Sequence, residues 1–411
     1  MNPTKNRSQI DFRKIVIFGA GKIGRSFIGQ LFGSGGYKVV FVDINPEIVS
    51  RLNQMGSYKV ITKGEKDEEI TVRNVQAILA SDSKKVAEAV STAGILAVSV
   101  GKNAIEKVIP LIASGLKIRY IQNSNQPLDI IIAENMIAAA DFMKGKLIKN
   151  LPADYPFDDL VGLIETSIGK MVPIMTQAEL EKDPLMVYSE PYNTLILDGK
   201  AFKITVPEIK GLAPKNNIKA WVDRKAFIHN LGHATAAYYG FYRHPSFVFM
   251  YEILDDKKVL QFTRDVMLQS ADILKDAYPH DFTINELEEH LDDLLHRFRN
   301  KSLRDTIFRV GHDLTRKLSR DDRFMGAIRL AVKFNRPHDK ILKAMSFGLF
   351  FRAKDNEGNL FQSDVKFLNA LSAEFKETLI NYLDFDPEED RIVIEKLKDM
   401  YDTLRNDTVN Q

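Results

Sequence analysis

A glycine-rich turn between an apolar run and a helical pattern constrains the fold of this chain more than any other feature. The run Lys14 to Phe18 predicts a buried strand, and Gly19-Ala-Gly-Lys-Ile-Gly24 follows it and opens a helix. In such a unit the glycines allow a tight turn, a close approach of the backbone to a pyrophosphate, and close packing of helix on strand. The helix N-terminus offers N–H groups to the phosphates. We therefore predict a dinucleotide site that includes Gly19, Gly21, Lys22, Ile23 and Gly24.

A carboxylate ends the next predicted strand, Lys38 to Val42. Asp43 at this place accepts hydrogen bonds from ribose hydroxyls and repels a 2′-phosphate, which favours NAD over NADP. Val100 and Gly101, at the end of a later apolar run, are predicted to pass beside the cofactor, with a strand-end glycine of no special role as the alternative. A glycine-rich turn of an unrelated α/β protein remains a second interpretation of the whole motif.

The pattern changes near the middle of the chain. Before it, short apolar runs alternate with helical patterns, which is typical of βαβ units, and shorter strand-like runs continue to Leu197. From Ala213 onward, long helical periodicities follow one another. Since Pro207, Gly211 and Pro214 lie at the change, we predict an α/β dinucleotide-binding domain with extra strands over residues 1–205. An all-α domain is predicted over residues 206–411.

Composition excludes several classes of protein. Lysine and arginine number 57 against 55 for aspartate and glutamate. Because these charges nearly balance, the composition does not indicate a nucleic-acid partner. No apolar run approaches the roughly 20 residues of a membrane span, and the polar stretch through Arg13 lacks the apolar core of a secretory signal. The absence of cysteine excludes disulfides, iron–sulfur clusters and thiolate-bound zinc. We expect a cytoplasmic protein without membrane or nucleic-acid partners.

Three polar side chains share one helical pattern in the second half. Lys225, Asn230 and His233 are five and three residues apart, which places them within an arc of about 140° on an α-helix. Lysine is a poor base until its pKa falls from about 10.4 toward 7–8 through burial or a cationic neighbour. An amide can then stabilise the developing alkoxide, and the imidazole can bind a substrate hydroxyl.

Other interpretations of these residues remain open. Lysine, asparagine and histidine on one helix are often solvated or capping groups. His229 and His233 have the i,i+4 spacing of zinc ligands, but the glutamate of an H-E-x-x-H site is missing, so we predict no metal. Asn135 follows another predicted strand, at a sheet edge where ligands bind, and can join Asn230 as a second donor to the reacting oxygen. It can also cap the helix expected to begin there.

Several separated segments resemble the polyol-specific long-chain dehydrogenases. They are Phe18 to Gly29, Ala133-Glu-Asn-Met136, Asp183-Pro-Leu185, Lys225-x4-Asn-x2-His233 with the following Ala-Thr-Ala-Ala-Tyr-Tyr-Gly, and Arg309-Val-Gly through Asp322-Arg323. The resemblance implies a Rossmann-like N-terminal domain, a helical C-terminal domain, and a monomer. It implies metal-independent hydride transfer with Lys225 as general base, Asn135 and Asn230 holding the oxygen, and His233 binding substrate. Gly169-Lys170 departs from the acidic residue and arginine usual in the family.

The choice between substrate classes turns on a cluster of basic residues, which are Arg309, Arg316, Lys317, Arg320 and Arg323. A phosphate needs converging cations, which Arg309, Arg316, Lys317 and Arg323 can supply, although the carboxylate of a uronate needs a cation too. Together with the resemblance, this makes mannitol 1-phosphate and fructose 6-phosphate the first expectation. Free mannitol or a uronate such as fructuronate or tagaturonate is the alternative within the family. The cluster can instead be a solvated helix face paired with Asp313, Asp321 and Asp322. A protein that binds NAD without turnover is the alternative from another class.

Overall fold

A computed structural model describes residues 9–123, 125–136 and 138–409 of the chain. The first eight residues, part of the polar N-terminal stretch discussed above, lie outside these ranges. The chain divides into two compact units, Met1–Trp221 and Val222–Gln411. The division falls after Trp221, later than the boundary predicted after residue 205, because strand Leu212–Lys215 pairs with strand Leu195–Asp198 and stays in the first unit.

The strands of the first unit are β1 (Asp11–Phe18), β2 (Lys38–Asp43), β3 (Ser57–Lys63), β4 (Asp67–Arg73), β5 (Val75–Leu79), β6 (Ala93–Val98), β7 (Leu128–Ile132), β8 (Val161–Ser167), β9 (Val187–Ser189), β10 (Leu195–Asp198) and β11 (Leu212–Lys215). Within the described residues, eight of them form one sheet in the order β11-β10-β8-β7-β6-β1-β2-β5. Neighbours in this sheet are parallel except β8 and β10. A smaller sheet has the order β4-β3-β9.

The register aligns the carboxyl ends of the central strands. Phe18 of β1 is level with Val42 of β2 and with Val98 of β6, which is level with Ile132 of β7. The segments that follow these four strands therefore leave the sheet at the same edge, which is where ligands bind in open α/β sheets. The βαβ prediction for this part of the chain is confirmed, and so is the Rossmann-like fold class.

Helices of the first unit cover both faces of this sheet. They are α1 (Gln30–Ser34), α2 (Pro46–Met55), α3 (Ser83–Ser91), α4 (Ile105–Gln122), α5 (Ala139–Ile148), α6 (Phe157–Leu160) and α7 (Gln177–Lys182). A π-helical segment, Gly24–Gly29, runs directly into α1. Two apolar clusters, one on each face, bury alternate residues of β1: Ile15 and Ile17 on one side, Val16 and Phe18 on the other.

The second unit is helical, as predicted. Its helices, the first of which begins in the first unit, are α8 (Ile218–Arg224), α9 (Leu231–Arg243), α10 (Met250–Leu254), α11 (Lys257–Ala277), α12 (Ile284–Phe298), α13 (Ile307–Gly311), α14 (Leu314–Lys317), α15 (Met325–Lys333), α16 (Asp339–Gly348), α17 (Gln362–Ala373), α18 (Phe375–Leu383) and α19 (Arg391–Val409). Side chains cap two of the long ones: Asp256 accepts from the N–H of Lys258 at the start of α11, and Thr283 and Glu286 form a capping box on α12. No helix in the described part of the chain is long and apolar enough to cross a membrane.

Candidate active site

The glycine-rich turn has the geometry that a dinucleotide requires. Gly19 has φ +99°, and a Cβ there would collide with the carbonyl oxygen of Ser99. A Cβ on Gly24 would collide with the carbonyl oxygen of Gly19, so this glycine lets the helix pack against the turn. At Gly21 a Cβ would meet nothing within 4 Å. The open space at Gly21, next to the helix start at Lys22, fits the approach of a pyrophosphate.

Arg25 ties this turn to a distant segment, a role that sequence reasoning missed. Its buried guanidinium donates to the carbonyl oxygen of Ala20 at 2.7 Å and to those of Pro184 and Leu185 at 3.0 and 2.5 Å. Asp183-Pro-Leu185 is one of the segments that resemble the polyol-specific dehydrogenases. Its contact with Arg25 shows what this segment does in the structure, which is to bind the residue that follows the glycine-rich turn. Arg25 therefore fixes the glycine-rich turn to a segment far along the chain.

Asp43 stands at the end of β2, where the sequence placed it. Its Oδ2 accepts the N–H of Ala20 in the glycine-rich turn at 2.6 Å, and its Oδ1 accepts the N–H of Asn45 at 2.9 Å. These bonds fix the carboxylate beside the turn. Each oxygen keeps a second lone pair, so the group can also accept hydrogen bonds from ribose hydroxyls.

Val100 and Gly101 follow β6, and both of their N–H groups donate to Oε1 of Glu134, at 2.6 and 2.8 Å. Burial raises the pKa of Glu134, which these two bonds oppose. Glu134 was not among the predicted site residues, although it directly precedes Asn135 at the end of the next strand. It links the segments that follow β6 and β7 at the ligand-binding edge of the sheet.

Asn135 is exposed in the segment after β7. The proposed alternative, that it caps the following helix, is wrong because α5 begins only at Ala139 with Ala138 as its N-cap. Ala138 has φ +50°, so the chain turns sharply before the helix. Asn135 therefore lies at the sheet edge without serving as a helix cap, and its role toward a substrate oxygen stays a prediction.

Lys225 and Asn230 are the first and last residues of a π-helical segment between α8 and α9. The α-helical spacing assumed from the sequence does not hold here, since i to i+5 hydrogen bonding widens the turn. Residues five apart consequently lie closer to one face than in an α-helix. Short π segments of this kind are frequent at functional sites. The local widening gives no signal in the sequence.

The environment of Lys225 lowers its pKa from the ordinary value of 10.5 to about 8. Burial of the ammonium is the largest cause, and the nearby cations Arg323 and Arg316 add to it. Asp322 acts in the opposite direction by stabilising the charged form. The sequence predicted burial or a cationic neighbour for Lys225, and the structure shows both, with Arg323 and Arg316 as the cations. A substantial fraction of Lys225 is thus neutral at mildly alkaline pH.

His233 lies in the first turn of α9 and stacks on Phe298, with ring centroids 4.3 Å apart and planes 7° from parallel. Its Nε2 is 3.5 Å from Oδ2 of Asp305. Burial lowers the pKa of His233 to about 4, against the opposing effect of Asp305. Burial also holds the pKa of His229 well below its ordinary value. Both imidazoles are therefore neutral near pH 7.

No three His, Asp or Glu side chains in the described residues are grouped as metal ligands would be. His229 and His233 lie with ring centroids 6.3 Å apart.

The basic residues from Arg309 to Arg323 differ in their burial and in their partners. Arg316, Lys317 and Arg323 all influence the basic groups of this region through their charge. Lys317 and Arg323 are buried, so they do not belong to a solvated helix face. Arg309 is half exposed and paired with Asp305. Arg320, in contrast, pairs with Asp390 and Glu389 and is committed elsewhere.

Carboxylates neutralise part of this cluster. Arg316 donates to Asp313 at 2.5 Å and lies 3.5 Å from Asp322, while Arg323 donates to Asp322 at 2.8 Å. Lys317 donates to the carbonyl oxygen of Val310 at 2.6 Å, and burial with the nearby arginines lowers its pKa to about 7. The solvated-face alternative thus describes the pairing of Arg316 but not the burial of Lys317.

Lys170, where the family usually has an arginine, is buried in the first unit. Its Nζ donates to Oδ1 of Asn193 at 2.6 Å, approaches Oε1 of Gln30 at 3.5 Å, and lies 5.0 Å from the centroid of the Phe27 ring. The lysine therefore connects the helix after the glycine-rich turn with the segment before β10.

Family models for two consecutive domains match the chain. The mannitol dehydrogenase Rossmann domain matches residues 13–211, and the mannitol dehydrogenase C-terminal domain matches residues 217–386. The chain belongs to the mannitol dehydrogenase family. The mannitol-1-phosphate 5-dehydrogenases of two strains of Buchnera aphidicola subsp. Acyrthosiphon pisum are each 30% identical to it over 346 residues, which cover 84% of this chain and 88% of the relative. The predicted family resemblance is confirmed.

Among solved structures, D-sorbitol dehydrogenase in its substrate-free form matches with a TM-score of 0.74 and 15% identity, over 97% of this chain and 96% of that one. This likeness shows a common fold. Membership of the mannitol dehydrogenase family makes the protein a polyol dehydrogenase, an oxidoreductase acting on a small molecule with a nicotinamide dinucleotide. The open space at Gly21, the helix start at Lys22 and the carboxylate of Asp43 fit that cofactor.

Proposed function

We propose that this member of the mannitol dehydrogenase family is an NAD-dependent enzyme that interconverts D-mannitol 1-phosphate and D-fructose 6-phosphate. The observation that carries the proposal is the π-helical segment that places Lys225 and Asn230 on one element, with Arg323 donating to the carbonyl oxygen of Asn230 at 3.2 Å. Burial and the nearby arginines also lower the pKa of Lys225 to about 8. The identity to mannitol-1-phosphate 5-dehydrogenases supports the substrate. The reaction needs a base that can take a proton from an alcohol near neutral pH, and Lys225 meets that need.

Lys225 removes the proton of the reacting hydroxyl, which moves from the alcohol oxygen to Nζ as the carbonyl forms. In the opposite direction the ammonium returns this proton to the oxygen. The bound nicotinamide supplies the acceptor or donor of the hydride. No metal-bound oxygen is required, because the cation that stabilises the developing alkoxide is Lys225 itself once it has taken the proton.

The amides of Asn230 and Asn135 are proposed to donate hydrogen bonds to the reacting oxygen. Asn230 follows Lys225 on the π segment, which keeps base and donor on one rigid element. His233, being neutral, accepts or donates a hydrogen bond to a further hydroxyl of the polyol. Each bond that strengthens as the oxygen gains charge lowers the barrier selectively.

The phosphate is proposed to contact Arg309, Arg316, Lys317 and Arg323. Support comes from the burial of Lys317 and Arg323 and from their mutual electrostatic influence. A dianionic phosphate would favour the charged form of Lys317, whose pKa is lowered to about 7 in its absence. Asp43 is proposed to select NAD by binding the ribose hydroxyls. The protein is proposed to act as a monomer, which sedimentation velocity can test.

Loss of nicotinamide absorbance tests the proposal directly. The purified protein is mixed with NADH and, in turn, fructose 6-phosphate, fructose, fructuronate and tagaturonate. Rapid turnover with fructose 6-phosphate alone supports the proposed substrate. Lys225→Ala should then lower kcat/KM by about 10²–10⁴-fold, the usual effect of losing a general base. Lys343→Ala, which removes an exposed lysine of α16, is the matched control and should keep the activity.

The remaining outcomes separate the alternatives. Turnover of fructose or of a uronate without fructose 6-phosphate would keep the mechanism and overturn the substrate. If none of the four substrates is turned over while NADH still binds, a non-catalytic NAD-binding protein would be favoured. Full activity of Lys225→Ala would overturn the assignment of the base.

A further inference from the structure

A buried carboxylate faces the proposed substrate-binding histidine without bonding to it. Oδ2 of Asp305 lies 3.5 Å from Nε2 of His233, and both atoms are buried without a hydrogen-bond partner. The side chain of Asp305 is only 3% exposed. An unpaired buried carboxylate oxygen costs free energy, so its position beside this imidazole calls for a function.

The backbone holds Asp305 firmly in place. Its carbonyl oxygen accepts the N–H of Met250 at 2.9 Å, and the next residue, Thr306, forms an isolated bridge with Phe249. Arg304 before it has φ +52°, and Thr306 after it caps α13 by accepting the N–H of Arg309. Because Asp305 is constrained on both sides, its distance from His233 is a fixed feature of the unit.

The other carboxylate oxygen, Oδ1, is occupied by Arg309. The guanidinium has only donors, so it anchors this oxygen and leaves Oδ2 directed at His233. On the histidine side, Phe298 holds the ring by stacking. Neither ring nor carboxylate can turn away without losing these contacts.

Electrostatics decide which nitrogen of the neutral ring carries the proton. If Nε2 were unprotonated, its lone pair would face a carboxylate oxygen at 3.5 Å, which is repulsive. If Nε2 carries the proton, the positive end of its N–H dipole is the part of the ring nearest the negative charge. The second arrangement leaves Nδ1 with a lone pair, since a neutral imidazole has one donor and one acceptor.

We propose that Asp305 is a positioning residue that keeps the proton of His233 on Nε2, so that Nδ1 accepts a hydrogen bond from a substrate hydroxyl. The side chain of His233 is 13% exposed, but its Nε2 atom is completely buried. Substrate therefore meets another edge of the ring. This inference rests on the proposed function in assigning His233 to substrate binding, whereas the tautomer itself is independent of it.

Asp305→Asn gives the sharpest test because it preserves the shape. Arg309 will attract the amide oxygen, which directs the amide NH₂ toward Nε2 of His233. Nε2 must then accept, and the proton moves to Nδ1. In a protein labelled with ¹⁵N-histidine, two-bond ¹H–¹⁵N spectra distinguish the two tautomers, and His233→Gln identifies the signals among the eight histidines.

The expected spectra show the Nε2–H form of His233 in the wild type and the Nδ1–H form in Asp305→Asn. Asp255→Asn is the matched control, since it makes the same change at an exposed carboxylate of the same unit. It should leave the Nε2–H form in place. An Nδ1–H form in the wild type, or an Nε2–H form unchanged by Asp305→Asn in a folded variant, would overturn the proposal.

Kinetics supply the second readout. Asp305→Asn should lower kcat/KM for the polyol by about tenfold, because the hydroxyl must then turn to accept from Nδ1–H and no longer donates to the ring. The pH dependence assigned to Lys225 should stay in place, since Asp305 is not among the groups that shift its pKa. In a His233→Gln background the substitution should have little further effect. Absence of turnover on every substrate would refute the proposed function while the tautomer result still decides this inference.

Discussion

Arg323 donates a hydrogen bond from Nη1 to the backbone carbonyl oxygen of Asn230, at 3.2 Å. The same guanidinium is the charged group that most lowers the pKa of Lys225. Asp322 in turn accepts from Nε of Arg323 at 2.8 Å. The position of the proposed oxygen-binding amide and the basicity of the proposed base thus depend on one buried arginine.

Polyol oxidation should accelerate as the pH rises through about 8. Lys225 acts as a base only when neutral, and its pKa is lowered to about 8, so kcat/KM should increase about tenfold per pH unit below that value and level off above it. Carbonyl reduction needs the ammonium and should decline above the same pH. Profiles of kcat/KM between pH 6 and 10 in both directions would measure this. A pH-independent rate in both directions would refute the role of Lys225.

Substitutions at two neighbouring residues should move the pH profile of kcat/KM in opposite directions. Arg323→Gln removes a cation that disfavours the ammonium, so the pKa of Lys225 rises and the profile moves to higher pH. Asp322→Asn removes a stabilising anion, so the profile moves to lower pH. If the pKa of Lys225 rises by about one, its neutral fraction at pH 7 falls about tenfold. Movement of both profiles in the same direction would mean that altered positioning, rather than charge, governs the rate.

Two glycines of the nucleotide turn should respond differently to the same substitution. Gly21→Ala puts a methyl group into open space and should leave the thermal unfolding temperature nearly unchanged while weakening NADH binding about tenfold or more. Gly24→Ala collides with the backbone of Gly19 and should destabilise the domain by several kcal/mol. Calorimetry and fluorescence titration with NADH measure the two effects. Unchanged NADH affinity in Gly21→Ala would place the cofactor elsewhere.

Asp43→Ser should change the preferred cofactor. The carboxylate repels the 2′-phosphate of NADPH and accepts from the ribose hydroxyls of NADH, so its loss should lower kcat/KM for NADH and raise the NADPH to NADH ratio by about tenfold or more. The serine hydroxyl can replace only part of the contact with the N–H of Ala20. Kinetics with both cofactors at saturating substrate measure the ratio. An unchanged ratio would show that other residues select the cofactor.

Stability should depend on pH through Lys317. Burial lowers its pKa to about 7 in the folded protein, against about 10.4 when unfolded. Between these values the unfolded chain holds a proton that the folded one has released, so the free energy of unfolding rises with pH. From pH 6.5 to 9.5 the wild type should gain up to about 3–4 kcal/mol relative to Lys317→Met.

Urea unfolding of both proteins at the two pH values measures this gain. Lys343→Met, at an exposed position, should follow the wild type. If Lys317→Met shows the same pH dependence as the wild type, Lys317 is not the source of the effect.

Local patterns were enough to predict the sheet that carries the cofactor site. β1, β2, β6 and β7 were recognisable as apolar runs because parallel strands buried on both faces carry few polar residues. The order of glycines at Gly19, Gly21 and Gly24 and the carboxylate of Asp43 depend on short-range geometry, which neighbouring residues define. The helical context of Lys225, Asn230 and His233 is local as well, but the α-helical spacing expected for them does not hold.

Tertiary structure decided the chemistry of those residues. The approach of Arg323 from a segment far along the chain and the burial of Asp305 against His233 arise from packing between distant segments. The π-helical turn at Lys225–Asn230 has no signal in the sequence either. A pKa shift depends on desolvation and on charges within a few ångströms, and neither can be read from sequence spacing. The sequence therefore determined which side chains are available and in what order, whereas the fold determined their protonation states and their partners.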